Sequence, residues 1–183
     1  MELLCLDFVN SVFRDFRGRW ERDDLQNPVW LADFLARWQL QVEQPVNEMV
    51  LKELVDLRAD LMEAIETLIE QGTIGEEELA LLNSCLHASS FTHQIEFIGG
   101  EYHLGTTARA RNWQWVQSEI IVDFITLLVD YDPTRIKICQ NQHCRYVFYD
   151  ETKSRTRRYC SAKPCGNLMK MRRYHARQRD LRE

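Results

Sequence analysis

Four of the six cysteines stand in two identical brackets, Cys139-x4-Cys144 and Cys160-x4-Cys165, with fifteen residues between the brackets. Two turns that each present a pair of thiolates are how a chain builds a closed tetrahedral site, because Zn²⁺ accepts four soft ligands and asks only for tetrahedral placement. Two disulfides, or four evenly spaced buried thiols, would use the same residues. The first residues carry Glu2 and Asp7 within an apolar run and have no basic segment before it, so they do not read as a secretory signal. In the reducing cytoplasm disulfides rarely persist, and the spacing predicts one structural zinc per chain held by Cys139, Cys144, Cys160 and Cys165. A catalytic zinc keeps a position open for water, whereas four thiolates fill the shell. His143, beside Cys144, offers a variant in which it replaces one ligand. Cys5 and Cys85 have no partner at metal spacing and read as small buried apolar residues.

Charge divides the chain at the same place. Residues 135–183 hold 14 Lys and Arg against 4 Asp and Glu, whereas residues 1–134 hold 9 against 24, so a net charge of −5 conceals a basic module of +10 behind an acidic unit of −15. Four thiolates around a zinc ion carry a formal −2, which leaves the module strongly positive. Nucleic acid would attract it and repel the acidic unit.

The acidic unit is predicted to be mainly helical. At 183 residues and 45% hydrophobic, the chain can bury one core and carry an appended module. Val50, Leu51, Leu54, Leu57, Leu61, Ile65, Leu68 and Ile69 recur at helical intervals between Asn47 and Gln71, with Gly72 as the stop. Asn27-Pro28 starts a shorter helix through Trp38, Glu76–His87 reads as another, and the apolar density of Trp113–Val129 suggests a helix packed on more than one face. Its most apolar part, Ile120–Val129, is too short to span a membrane and contains Asp123. Between them, Gln94–Leu104 flanks Gly99-Gly100 with strand-forming residues, which predicts a β-hairpin. The fold class is therefore mainly α with a small β-hairpin. A helical domain over 1–134 precedes a four-cysteine module over 135–183 that ends in a basic helix.

Within the module, Arg145–Tyr149 is predicted as a strand. The following Thr152–Arg157 alternates hydroxyl with cation, so an extended ribbon would place Lys153, Arg155 and Arg157 on one face, with Arg158 next to them. Cys165 opens the last helix, whose Lys170, Arg173 and Arg177 share one side while Arg172 and Arg179 lie opposite. Hydroxyls and cations are both common phosphate partners. These positions are the candidate nucleic-acid contacts.

The wording around the cysteines resembles the bacterial CGNR zinc finger. Its elements read here as Cys139, Cys144, Phe148, Asp150, Arg157-Arg158-Tyr159-Cys160 and Cys165-Gly166-Asn167. Leu168 stands where the signature has arginine, with Lys170 and Arg172 close enough to take over a phosphate contact. LCLDFVNSV at 4–12 and WLADFLARWQL at 30–40 look like the opening of the ABATE domain, which precedes the CGNR finger in stress-induced transcription regulators. The resemblance implies a bacterial, cytoplasmic, DNA-binding regulator whose N-terminal domain senses or regulates. A zinc-stabilised adaptor that binds RNA or an acidic protein surface is the rival from another class. No phosphate-binding loop, HExxH helix or nucleophile elbow appears, so no enzyme is expected. Asp7 and Asn10, polar groups in the apolar LDFVN stretch, are expected to form a buried hydrogen-bond network or to line a small-molecule pocket. A homo-oligomer would suit sequence-specific recognition, although no heptad seam is visible.

Overall fold

The computed structural model describes residues 2–89, 91–108 and 110–180. The long helix α3 spans Glu48–Gln71, and its ends are set by local chemistry. The Asn47 side chain accepts from the Val50 N–H, and Gly72 closes the helix at φ 80°, a conformation that costs glycine little. Its apolar stripe packs against α5 (Trp113–Asp130), where Ile120, Ile121, Phe124 and Leu127 are all fully buried. Each such side chain contributes about 1.5–3 kcal/mol. Helices α1 (Leu4–Val9), α2 (Pro28–Arg37) and α4 (Glu76–Ala88) complete the helical unit. Helix α1 has no side-chain cap of its own. Asp123 of α5 supplies one, accepting from the Cys5 N–H at 2.9 Å. The acidic residue that interrupts the apolar run of α5 thus serves a helix 118 residues away. No described helix is long and apolar enough to cross a membrane.

Among the described residues, three antiparallel hairpins accompany the helices. The predicted one is longer than expected, with β3 (Phe91–Ile98) pairing β4 (Glu101–Ala108) across the two glycines. A second, unforeseen from sequence, joins β1 (Val12–Arg14) to β2 (Glu21–Asp23). It is tied to α3 by Arg58, a buried cation on the apolar face of that helix. The Arg58 guanidinium donates to both Asp23 carboxylate oxygens at 2.7 Å and to Ser11 Oγ at 2.9 Å. That pairing holds the Asp23 carboxyl below the usual carboxylate range.

The third hairpin, β5 (Ile136–Ile138) with β6 (Val147–Tyr149), begins the cysteine module. One buried cluster runs across the boundary at residue 134. Ile136 and Val147, 2% and 1% exposed, belong to the same buried cluster as α1, α3 and α5. The module then closes with α6 (Asn167–Asp180).

Candidate metal centre and its surroundings

Each cysteine bracket is held by its own backbone turn. Cys139 follows β5 and donates its N–H to the Tyr146 carbonyl at 2.9 Å, while the Cys144 N–H donates to the Asn141 carbonyl at 2.8 Å. The second bracket wraps around a wide helical turn, Ala162–Gly166, closed by the Gly166 N–H on the Ser161 carbonyl at 3.0 Å. A bond from the Gln140 N–H to the Arg158 carbonyl at 2.9 Å locks one bracket against the other.

The result brings the four sulfur atoms within 4.8 Å of one another. Cys144 and Cys160 stand 3.6 Å apart, and Cys160 and Cys165 3.8 Å. A tetrahedron with Zn–S bonds of about 2.3 Å has edges of about 3.8 Å. A disulfide needs about 2.05 Å, so the alternative of two crosslinks does not fit, and all six cysteines are unpaired. Crowding supports the same conclusion. Hydrogen bonds from Cys144 and Cys160 lower the Cys139 thiol, whereas proximity to Cys139 pushes Cys144 up to about 12 and Cys160 also upward. Four thiols this close cannot all ionise by themselves, and a divalent cation is the charge that lets them. The four cysteines are positioned to bind one zinc ion. His143 is not among them; its ring lies against Gly18 in the β1–β2 turn instead.

Residues beyond the thiols complete the site. Asn141 is fully buried and donates its Nδ2 both to the Phe16 carbonyl at 2.7 Å and toward Cys165 Sγ at 3.5 Å. Sequence reading passed over it, although a small amide inside a cysteine bracket is a natural donor to sulfur. Phe148 packs against Cys139 and Cys165. Asp150, 0% exposed, receives the Lys137 ammonium, the Thr152 N–H and hydroxyl, and the Arg157 N–H. Burial alone would raise its carboxyl, but these four donors outweigh it and hold the carboxyl well below the usual range.

That gathering around Asp150 overturns the expected ribbon. The segment from Thr152 folds into a loop, with a turn at Lys153-Ser154 and Arg155 at φ 54°, so alternation no longer maps onto faces. Lys153 and Arg158 are exposed, and Arg155 is exposed with a 2.9 Å bridge to Asp132. Arg157 turns inward. Its guanidinium lies 4.5 Å over the Phe148 ring and donates to the Tyr159 and Cys160 carbonyls. It therefore supports the second bracket and is only partly open to solvent.

On α6, Lys170, Arg172, Arg173, Arg177 and Arg179 are all exposed. Leu168 and Met169 are half-buried at its root.

Asp7 and Asn10 make separate sets of hydrogen bonds, and both border one cavity. The Asp7 carboxylate accepts from Arg37 Nη1 and Trp38 Nε1, each at 2.8 Å. Asn10 bonds the main chain of Val147 in the module. Both line a cavity of about 590 Å³ between the helical unit and the module, whose walls include Arg14, Trp38 and Tyr146.

Residues 135–178 match the CGNR zinc finger. Residues 2–131 match ABATE, described as "Putative stress-induced transcription regulator". No curated protein matches the chain.

Proposed function

Because the chain belongs to the ABATE family and ends in a CGNR zinc finger, we propose that it regulates transcription by binding duplex DNA through the basic surface of that finger. The observation that carries this reading is α6. Over 14 residues it buries no side chain fully among those described, and five cations and Tyr174 stand in solvent. A helix polar on all sides gains little from packing on its own protein. A polyanion would supply its missing partner, with Lys153 and Arg158 on the preceding loop as further phosphate contacts.

In this reading the metal is structural and the protein is a binder, not an enzyme, acting in the bacterial cytoplasm. Four thiolates leave the zinc no position for substrate, and the rigid brackets serve to aim α6.

Titration of the zinc-loaded full chain against duplex DNA at several salt concentrations tests the proposal. With Lys153, Arg158, Lys170, Arg172, Arg173 and Arg177 as contacts, log K should fall against log salt with a slope of about −5. Replacing Lys170 or Arg173 by Ala should flatten the slope by about one. A zinc-loaded protein with no measurable affinity for duplex at low salt would overturn the reading. Preference for RNA of equal length would favour the adaptor instead.

A further inference from the structure

The acidic helical unit concentrates its few cations next to the finger. Of the nine Lys and Arg in residues 1–134, Arg14, Arg17, Arg19 and Arg22 fall in the β1–β2 hairpin. Two aromatic side chains stand among them. Phe13 and Trp20 are 47% and 51% exposed and stack with ring centroids 5.5 Å apart. Large aromatics left in solvent beside arginines are the composition of a contact surface and not of an idle one.

Three of the arginines are oriented by carboxylates. Asp15, itself buried, takes the Arg19 Nε at 2.6 Å, which leaves both terminal nitrogens of that guanidinium free of the pair. Arg22 pairs with buried Asp24, and Arg14 with Glu21. Arg17 is exposed at the turn, and among the described residues it makes no ion pair; its guanidinium lies 5.7 Å from the Phe16 ring centroid.

The hairpin is also continuous with the finger. The Phe16 carbonyl accepts from Asn141, the same side chain that reaches Cys165 at the root of α6. Gly18, at φ 77°, lies so close to His143 that a Cβ there would fall 2.3 Å from the ring nitrogen. Arg19 and Trp20 share a surface recess with Gln142 and His143 of the first bracket and with Arg145 just after it.

We infer that the β1–β2 hairpin is a second nucleic-acid contact, with Arg17 and Arg19 on backbone phosphates and Trp20 against the sugar-phosphate chain of the duplex held by α6. The inference rests on the DNA-binding reading and extends it to the unit whose net charge argues against any such role. A charged two-stranded ribbon fits a duplex groove or its backbone edge, and arginine forks suit phosphate geometry.

The test uses the zinc-loaded full chain and duplex DNA. Arg17→Ala breaks no ion pair, so it should leave zinc content and thermal unfolding unchanged. It should flatten the salt slope by about one and weaken binding about eightfold at 0.1 M salt. Arg17→Glu should weaken binding further. Duplex should quench tryptophan emission, and Trp20→Phe should remove that quenching. If Arg17→Ala and Arg17→Glu leave the slope unchanged while Lys170→Ala still flattens it, the hairpin inference fails and the DNA-binding reading stands. If no variant matters because the chain binds no duplex, the reading fails and takes the inference with it. Equal quenching by polyglutamate at the same ionic strength would also overturn the inference, since the hairpin would then be a generic site for acidic polymers.

Discussion

Asn10 pairs with Val147 as a neighbouring strand would. Its carboxamide donates to the Val147 carbonyl at 2.9 Å and accepts from the Val147 N–H at 2.8 Å, across 137 residues of sequence. One side chain at the end of α1 thereby satisfies both main-chain groups on the free edge of β6. Asn10→Ala would leave a buried donor and acceptor unpaired, at about 1–3 kcal/mol for each group not rescued by water. Denaturant unfolding should show a loss of about 2–4 kcal/mol, with zinc content unchanged.

The metal should be stoichiometric. Elemental analysis is expected to return one zinc per chain, Cys160→Ser should lose it, and Cys5→Ser should keep it. Binding free energy of about 10–16 kcal/mol is folding energy in such modules. Hydrogen exchange in Cys160→Ser should therefore show residues 136–165 unprotected. An ordered, zinc-free module would refute the site.

Arg157 and Lys170 should separate structure from binding. Arg157→Ala removes a guanidinium stacked on Phe148 and two bonds to the second bracket. It should lower stability by about 2 kcal/mol or more, since bonds from a charged group contribute about 1.5–3 kcal/mol. Lys170→Ala should leave melting unchanged and alter only the salt dependence of DNA binding. Equal effects of the two on melting would contradict the structural role of Arg157.

Asp150 gives a pH signature. Its folded pKa lies below the unfolded value of about 3.9. Its contribution is therefore complete above about pH 4 and is lost as pH falls further. Asp150→Asn leaves Lys137 without its carboxylate and should cost about 3–5 kcal/mol at pH 7. The difference between variant and wild type isolates this group from acid release of zinc. That gap should stay level from pH 7 to about 5 and narrow only below about 4; narrowing near neutrality would show that another group is responsible.

A fragment ending at Thr134 should fold poorly. It lacks Ile136 and Val147, worth about 3–6 kcal/mol together at about 1.5–3 each. It also strands Asn10 and stands against a whole stability of about 5–15 kcal/mol. Circular dichroism should show a broader transition at lower temperature than in the full chain. Equal melting would show that the helical unit is self-sufficient.

What could be read from sequence was what local chemistry decides. The caps and period of α3, the Asn27-Pro28 start of α2, the glycines of the β3–β4 turn and the cysteine brackets all act within a few residues. The β1–β2 hairpin escaped because its strands, Val12–Arg14 and Glu21–Asp23, have three residues each and no apolar alternation. The hairpin is held from outside, by Arg58 of α3. Alternation puts Lys153, Arg155 and Arg157 on one ribbon only where the backbone is extended, whereas Asp150 bends that segment around its own carboxylate. A one-stretch reading cannot see bonds that span the chain, and Asn10 with Val147 is such a bond.

The shared core gives zinc a say over how long the protein survives in the cell. Ile136 and Val147 are seated by the hairpin that the first cysteine bracket closes, so loss of the metal loosens residues that cover α1 and α3. A zinc-starved chain should not persist as a sound helical unit with a slack tail; it should become a substrate for the proteases that clear unfolded chains. Abundance in zinc-limited cells would then fall whatever the basic surface of the finger binds, and metal supply would set how much folded protein there is.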